Sequence, residues 1–167
     1  IYDPMKGTWE SVSTTNAPSP RRRASAVWNG TKMIVFGGLG PGGEYLGDGG
    51  VFNLATKTWE QLQDVDLPSG RSEHTAVWAS TKMLLWGGFS SATGNLANGS
   101  SFDFANGWTA LPDPAPFLTP RRNHSAVWTG TTMLVYGGFG FDAVSGLDQA
   151  LVDGAIYDAG LMSWSSI

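Results

Sequence analysis

Three similar hexapeptides recur in this chain: MIVFGG at residues 33–38, MLLWGG at 83–88 and MLVYGG at 133–138. Each consists of four apolar residues followed by a glycine pair, and each begins 50 residues after the one before it. A fixed period of roughly 20–50 residues is the signature of repeat architectures, in which neighbouring units bury each other's apolar faces. The hexapeptides therefore predict a stack of similar structural units.

The similarity extends well upstream of each hexapeptide. In register, the copies read RRRASAVWNGTKMIVFGG at 21–38, RSEHTAVWASTKMLLWGG at 71–88 and RRNHSAVWTGTTMLVYGG at 121–138. A second half follows each glycine pair and ends in a lone tryptophan. The opening IYDPMKGTWESV (1–12) matches this second half alone.

Each unit predicts four short strands and no helix longer than about two turns. The first strand is SAVW or TAVW, and the second is the apolar run, whose lack of polar alternation is typical of a strand buried on both faces. The third strand carries an aromatic residue and the fourth carries the tryptophan. Asn29-Gly30 predicts a type I′ turn between the first two strands, with positive φ at both residues. Four strands in a period near 50 residues predict the blade of a β-propeller.

The predicted organisation is all-β, with four-stranded antiparallel blades. A half-blade at 1–12 precedes full blades at 13–62, 63–111 and 112–167. Because propellers have roughly 4–8 blades, we expect these three and a half blades to belong to a larger ring, with the rest of that ring as a partner. Each glycine pair is expected where the backbone needs an unusual conformation beside a neighbouring chain segment.

The chain resembles the kelch-repeat family of β-propellers. The resemblance is carried by the apolar run with its glycine pair, by aromatic-Asp pairs, and by a tryptophan six or seven residues after the aromatic residue. The aromatic-Asp pairs are Tyr2-Asp3, Phe102-Asp103 and Tyr157-Asp158. Asn53 departs from the aspartate of this pattern, and Ala24 stands where the other units have histidine. The AVW-containing repeat is similar to kelch proteins that bacteria export, and this implies an extracellular or cell-surface location, with a cytoplasmic one left open. Six- or seven-bladed rings are usual for such proteins, which implies about half of a ring here.

The resemblance also implies where a partner binds. In peptide-binding kelch domains, contacts come from the residue two places after the repeated arginine and from the loop after the glycine pair. Carried onto this sequence, these positions are Arg23, Glu73, Asn123, Leu39, Phe89 and Phe139. The phenylalanines, together with Phe141, either form an apolar patch or close the inner rim of the ring.

The loop after the third glycine pair is longer than its counterparts. From Gly138 to Tyr157 there are 19 positions, against 14 at the equivalent places in the first two units. Loop growth on a constant framework is a common route to a binding surface, although neutral drift in length also explains it. We take Phe141, Asp142 and Asp148 as candidate contact residues in this segment.

The repeated arginines and histidines favour structural roles. Arg21, Arg71 and Arg121 open the first strands, where we expect salt bridges or backbone contacts between blades. His74 and His124 occupy one repeat position, a blade apart, without a third ligand in register, so we expect their rings to tie neighbouring backbone together rather than bind a metal.

Composition and motifs narrow the function. A net charge of −4 without a basic run excludes nucleic acid as the expected partner, and no apolar stretch is long enough for membrane insertion. The chain has no cysteine, no phosphate-binding loop and no catalytic serine motif, so we expect neither a cofactor nor enzymatic activity. The expected function is a noncatalytic protein-interaction or structural module of a larger secreted or surface protein. Carbohydrate binding through exposed phenylalanines is the alternative, and an enzyme site in blades outside this chain is a more distant one.

Overall fold

A computed structural model describes residues 1–62, 65–142 and 145–167. These residues form β-strands, turns and bends, and none of them is helical. In the same described residues, no helix is available that could cross a membrane. The predicted all-β class is confirmed.

The chain opens with a two-stranded hairpin and continues into the first blade. The hairpin pairs β1 (Tyr2–Asp3) with β2 (Thr8–Trp9). The first blade is an antiparallel sheet in sequence order, made of β3 (Ser25–Trp28), β4 (Lys32–Phe36), β5 (Gly49–Asn53) and β6 (Thr58–Gln61).

The second blade repeats this order and adds a small hairpin after its glycine pair. The blade contains β7 (Thr75–Ala79), β8 (Lys82–Trp86), β11 (Gly99–Asp103) and β12 (Gly107–Ala110), and the hairpin contains β9 (Phe89–Ser90) and β10 (Gly94–Asn95). In the first blade the same place holds only an isolated bridge between Leu39 and Tyr45.

The third blade has the same four strands and a larger accessory sheet. The blade contains β14 (Ser125–Trp128), β15 (Thr132–Tyr136), β18 (Gly154–Asp158) and β19 (Ser163–Ser166), and the accessory sheet contains β13 (Arg121–Arg122), β16 (Phe139–Asp142) and β17 (Leu147–Ala150). The predicted strands of all three units are therefore present, including one strand in each apolar run. The unit boundaries at 13–62, 63–111 and 112–167 stay predictions, and residues 63 and 64 at one of them lie outside the described part of the chain.

The turn between the first two strands of the first blade differs from the prediction. Asn29 has an ordinary negative φ and pairs with Lys32 through its backbone N–H, so the central residues of the turn are Gly30 and Thr31. Only Gly30 has a positive φ, of +99°. The Asn29 side-chain oxygen accepts the N–H groups of Thr31 and Lys32, and this local bonding holds asparagine beside the turn centre. The type I′ prediction was wrong.

The core lies between blades and not within any one sheet. The β8 side chains Met83 and Leu85 pack on the first blade, whereas Leu84 and Trp86 pack on the third. All four are completely buried. A strand with apolar residues on both faces must be covered on both sides, which is why the apolar run lacks polar alternation.

The first two glycine pairs lie where one blade meets the next. The Gly88 N–H donates to the carbonyl of Arg121 in the third blade at 2.9 Å, and the Gly38 N–H donates to the carbonyl of Arg71 in the second blade at 2.8 Å. Gly87 has a φ of +68°, and a Cβ atom there would lie 2.6 Å from the His124 ring. Both the backbone conformation and the space beside it therefore require glycine.

Candidate functional site

Three of the residues predicted to contact a partner are linked by backbone hydrogen bonds at the end of the blades where the glycine pairs lie. Arg23, Glu73 and Asn123 stand just before the first strands of successive blades. The Glu73 N–H donates to the Arg23 carbonyl at 3.3 Å, and the Asn123 N–H donates to the Glu73 carbonyl at 2.9 Å. The chain of bonds therefore links all three blades.

These three residues share a strained backbone conformation. Their φ angles are +57°, +59° and +53°, in the left-handed region that non-glycine residues rarely adopt. Such conformations cost on the order of 1–3 kcal/mol each and persist where the surrounding structure enforces them, often at binding sites. The strain, unlike the residue types, is the same in every blade.

Glu73 joins the side chains of this chain of residues. Its carboxylate forms an ion pair with Arg23 of the first blade and a second, at 3.2 Å, with Nε of Arg122 in the third blade. The side-chain amide of Asn123 donates to it at 3.3 Å. The Glu73 side chain is only 12% exposed, so solvent screens these contacts less than it would on an open surface.

The Arg122 guanidinium lies between two aromatic rings from different blades. It is 4.8 Å from the centroid of Phe89 and 5.0 Å from that of Phe139, within cation–π range. It also donates to the Asn95 side chain at 2.9 Å. Tyr45 of the first blade continues the row, with its ring centroid 5.7 Å from that of Phe89. Aromatic groups and a guanidinium thus form one row across three blades.

We call this group the rim cluster. It consists of Arg23, Tyr45, Glu73, Phe89, Arg122, Asn123 and Phe139. Sequence comparison between units missed Arg122 and Tyr45. Arg122 aligns with Arg22 and Ser72, and a position that varies in this way next to an invariant arginine was a usable signal.

Phe141, Asp142 and Asp148 are in the third blade's accessory sheet and not in the rim cluster. The segment predicted to be a loop is a β-hairpin, in which Phe141 pairs with Asp148. Residues 143 and 144 of that segment lie outside the described residues. Phe141 is 52% exposed and lines a cleft of about 440 Å³. Asp142 lines the same cleft and accepts a hydrogen bond from the Gln149 side chain at 2.7 Å.

The structure therefore separates the phenylalanines that were expected to act together. Phe89 and Phe139 enclose Arg122, whereas Phe141 faces the cleft on the hairpin. Leu39 is buried, where it forms a bridge with Arg22 and does not present a contact surface.

The guanidinium groups of the repeated arginines bond within their own blades, whereas the backbone groups of Arg71 and Arg121 make the expected contacts between blades. Arg71 donates through Nη1 to the carbonyls of Gly87 and Asn98, both at 3.1 Å and both in its own blade. Burial lowers the pKa of Arg71 to about 10. Arg121 forms an ion pair with Asp153 at 2.8 Å, and this hydrogen bond holds the pKa of the Asp153 carboxyl below its usual value. The guanidinium reaches the glycine pair of its own blade because the arginine precedes the first strand and the pair follows the second. These two strands are antiparallel neighbours, so the two positions lie at the same end of the sheet.

The histidines connect blades, but through side chains rather than backbone. His74 Nε2 lies 2.8 Å from the Ser25 hydroxyl of the preceding blade, and His124 Nε2 lies 2.8 Å from the Thr75 hydroxyl. In the described part of the chain, no group of three or more histidine, aspartate or glutamate side chains is placed to hold a metal ion. Burial lowers the pKa of His74 to about 3 and that of His124 to about 4.

These two histidines predict a loss of stability in mild acid. Between the unfolded pKa of about 6.5 and the folded values, the unfolded chain binds protons that the folded chain excludes. The contribution of the two neutral histidines to the free energy of unfolding is therefore fully present above about pH 6.5. It falls as the pH drops below that value, by up to about 1.4 kcal/mol per pH unit for each histidine. Urea unfolding at several pH values between about 7.5 and 5 measures the slope. A variant with His74→Ala and His124→Ala should have a shallower slope, and an unchanged slope would contradict the assignment.

Comparison with known proteins agrees with this architecture. No curated protein matches the sequence. The sequence profile of the Attractin/LZTR1 beta-propeller family, a kelch-type propeller family, matches residues 1–167. The three four-stranded antiparallel sheets, which bury their apolar strands against one another, have the form of propeller blades. The chain belongs to the Attractin/LZTR1 beta-propeller family.

Proposed function

We propose that this propeller segment is a noncatalytic interaction module and that its rim cluster binds an extended segment of a protein partner. The observation that carries the proposal is the Arg122 guanidinium held between Phe89 and Phe139. Arginine and aromatic residues dominate the energetics of protein interfaces, because they combine large contact area with directed hydrogen bonds.

Rigidity supports this assignment. The Glu73 side chain contacts residues of the first and third blades. The backbone hydrogen bonds from Glu73 to Arg23 and from Asn123 to Glu73 hold the same three blades together. A preordered surface loses little conformational entropy on binding, which favours affinity. The left-handed backbone conformation of Arg23, Glu73 and Asn123 also supports a binding site, because such strained residues cluster at functional sites.

The charges of the rim cluster favour an acidic partner segment. The Arg23 side chain is 57% exposed, and Arg22, its neighbour in sequence just outside the cluster, is exposed as well, so both offer guanidinium donors to solvent. Glu73, the carboxylate of the cluster, is already engaged by Arg23 and Arg122. A carboxylate of the partner could therefore accept two parallel hydrogen bonds from one guanidinium group. A basic partner segment would be repelled by the same arginines.

The proposal is tested by selecting peptides that bind the whole chain from a randomised display library. Peptides that bind should be enriched in acidic residues and should lose at least about tenfold in affinity on Phe89→Ala or Arg122→Ala, because a loss of about 1.4 kcal/mol is tenfold. Leu161→Ala is the matched control, because Leu161 is exposed in the turn at the opposite end of the third blade. Binding that survives both rim substitutions, or that is lost equally with Leu161→Ala, would contradict a rim site.

Carbohydrate binding is a second candidate, and the exposed Phe141 ring favours it. The ring borders the cleft that Asp142, Gln149 and Asp153 also line, and sugars are bound by an aromatic face beside polar side chains. A glycan array should then give specific signals that Phe141→Ala removes while Phe89→Ala leaves them. An array without signals would leave the peptide proposal as the better one.

We propose an extracellular or cell-surface location, as part of a larger protein, on the resemblance to exported kelch proteins. Fractionation of cells that express the complete natural protein would test the location, and recovery of the protein only from the cytoplasm would contradict it.

A further inference from the structure

One position of the repeat carries a different side chain in the second blade. Asp48, Asn98 and Asp153 are equivalent, and each directly precedes the glycine that begins the third strand of its blade. In the first and third blades, both carboxylate oxygens bond the repeated arginine. The oxygens of Asp48 lie 3.1 and 3.3 Å from the nitrogens of Arg21, and those of Asp153 lie 2.8 and 3.0 Å from the nitrogens of Arg121. The second blade has an uncharged amide at this position.

Arg71 is therefore a buried cation that has no acidic partner among the described residues. It is only 1% exposed. Its Nη1 atom donates to the carbonyls of Gly87 and Asn98, and in the described part of the chain its Nη2 atom bonds only the Ser69 hydroxyl. In the third blade, the Nη2 atom of Arg121 donates both to a hydroxyl and to the aspartate. One donor of Arg71 is thus left for a carboxylate oxygen.

The side chain of Asn98 is free to react. It is exposed, and no hydrogen bond from a described residue holds it. The asparagine side chains of the chain's two other Asn-Gly pairs are held. The Asn29 side-chain oxygen accepts two backbone N–H groups at 2.9 and 2.6 Å, and the Asn106 amide donates to both oxygens of Asp103 at 3.1 Å. The Asn98 amide is able to turn toward the next backbone nitrogen, and Gly99 has no side chain to obstruct it.

We propose that Asn98 is a site of spontaneous deamidation and that the aspartate formed there pairs with Arg71. The Gly99 nitrogen loses its proton to a solvent base and attacks the Asn98 carbon Cγ. The Cγ–Nδ2 bond then breaks, which releases ammonia and closes a succinimide ring. Water adds at Cγ, the bond from Cγ to the Gly99 nitrogen breaks, and this nitrogen takes up a proton. The net reaction consumes one water and converts the amide into a carboxylate and an ammonium ion.

The surrounding structure favours aspartate over its isomer. Opening the ring at the backbone carbonyl would give isoaspartate, which has an extra methylene group in the main chain. The Asn98 carbonyl accepts the Gly87 N–H at 3.0 Å and Arg71 Nη1 at 3.1 Å, and the longer main chain would displace it from both donors. Aspartate keeps both bonds and adds one to Nη2. This inference is independent of the rim cluster and of its partner.

Ageing of the whole chain in mildly alkaline buffer tests the modification. Peptide mapping by mass spectrometry should show the mass increase of the amide-to-acid conversion several times faster at Asn98 than at Asn29 or Asn106. The same chain unfolded in guanidinium chloride is the matched control, because its three Asn-Gly pairs should react at comparable rates. A rate at Asn98 in the folded chain that is no faster than the rate at Asn106 would overturn the proposal.

Asn98→Asp reproduces the expected product and tests the pairing. It should raise the Tm by about 2–4 °C, because Arg71 is already desolvated in the fold and the new carboxylate stays partly hydrated. The equivalent side chains of Asp48 and Asp153 are 59% and 51% exposed. Asn98→Gln, whose longer amide closes a ring only slowly, should keep the parent Tm and should not change on ageing. An unchanged or lower Tm for Asn98→Asp, or isoaspartate as the main product of ageing, would overturn the pairing with Arg71.

Discussion

Replacing Trp86 with alanine should lower the free energy of unfolding by about 3–5 kcal/mol, the usual cost of removing a buried aromatic side chain. Trp86 is completely buried between the second and third blades. Its ring centroid lies 5.0 Å from that of His124 and 5.8 Å from that of Trp164. The substitution removes the side chain that fills the interface, and the surrounding strands cannot close the cavity without breaking their hydrogen bonds. Urea unfolding monitored by far-ultraviolet circular dichroism measures the loss.

The chain contains a matched control for this substitution. Tyr136 occupies the same repeat position in the third blade but is half exposed, so Tyr136→Ala should cost about 1 kcal/mol or less. Trp86→Phe is the conservative variant: phenylalanine occupies this position in the first blade at Phe36, and the Trp86 indole nitrogen is buried without a hydrogen-bond partner among the described residues. It should cost less than about 1.5 kcal/mol. Equal losses for Trp86→Ala and Tyr136→Ala would show that the interface does not set stability.

Gly87→Val should be similarly damaging, for a different reason. The φ of +68° costs a branched side chain about 1–3 kcal/mol in strain. Its Cβ would also lie 2.6 Å from the His124 ring and 2.9 Å from the Arg121 carbonyl, and such overpacking typically adds about 1–3 kcal/mol. The total is about 2–6 kcal/mol, above the roughly 1 kcal/mol of an average substitution.

Gly137→Val separates these two contributions. Gly137 has the same φ of +68°, but a Cβ atom added there would meet only the Leu151 carbonyl, at 3.5 Å. It should therefore show the strain alone, about 1–3 kcal/mol. Thermal unfolding of both variants gives the comparison. If the two substitutions cost the same, the contact between blades at Gly87 contributes nothing and the glycine is required only for its backbone conformation.

Side-chain contacts between blades could not be predicted by comparing the repeat units. The repeat predicted Arg23, Glu73 and Asn123 as equivalent positions, but it could not place the Arg122 side chain between Phe89 and Phe139. That contact joins residues of different types from two units, and its geometry depends on how far one blade is rotated from the next. The repeated arginines show the same limit, because their partners within the blade depend on the path of the backbone after the glycine pair.

The blade can be read from the amino-acid sequence alone. A period of 50 residues, apolar runs without polar alternation and glycine pairs specify four strands per unit, because strand burial and backbone sterics are local properties of each segment. The surface that the blades present at their rim depends on how they pack together. Glu73 becomes the centre of a charged cluster because blade stacking brings residues about 50 positions apart in sequence into contact. Which side chains meet at that separation depends on the relative position of the blades, and the local sequence around each residue does not specify it.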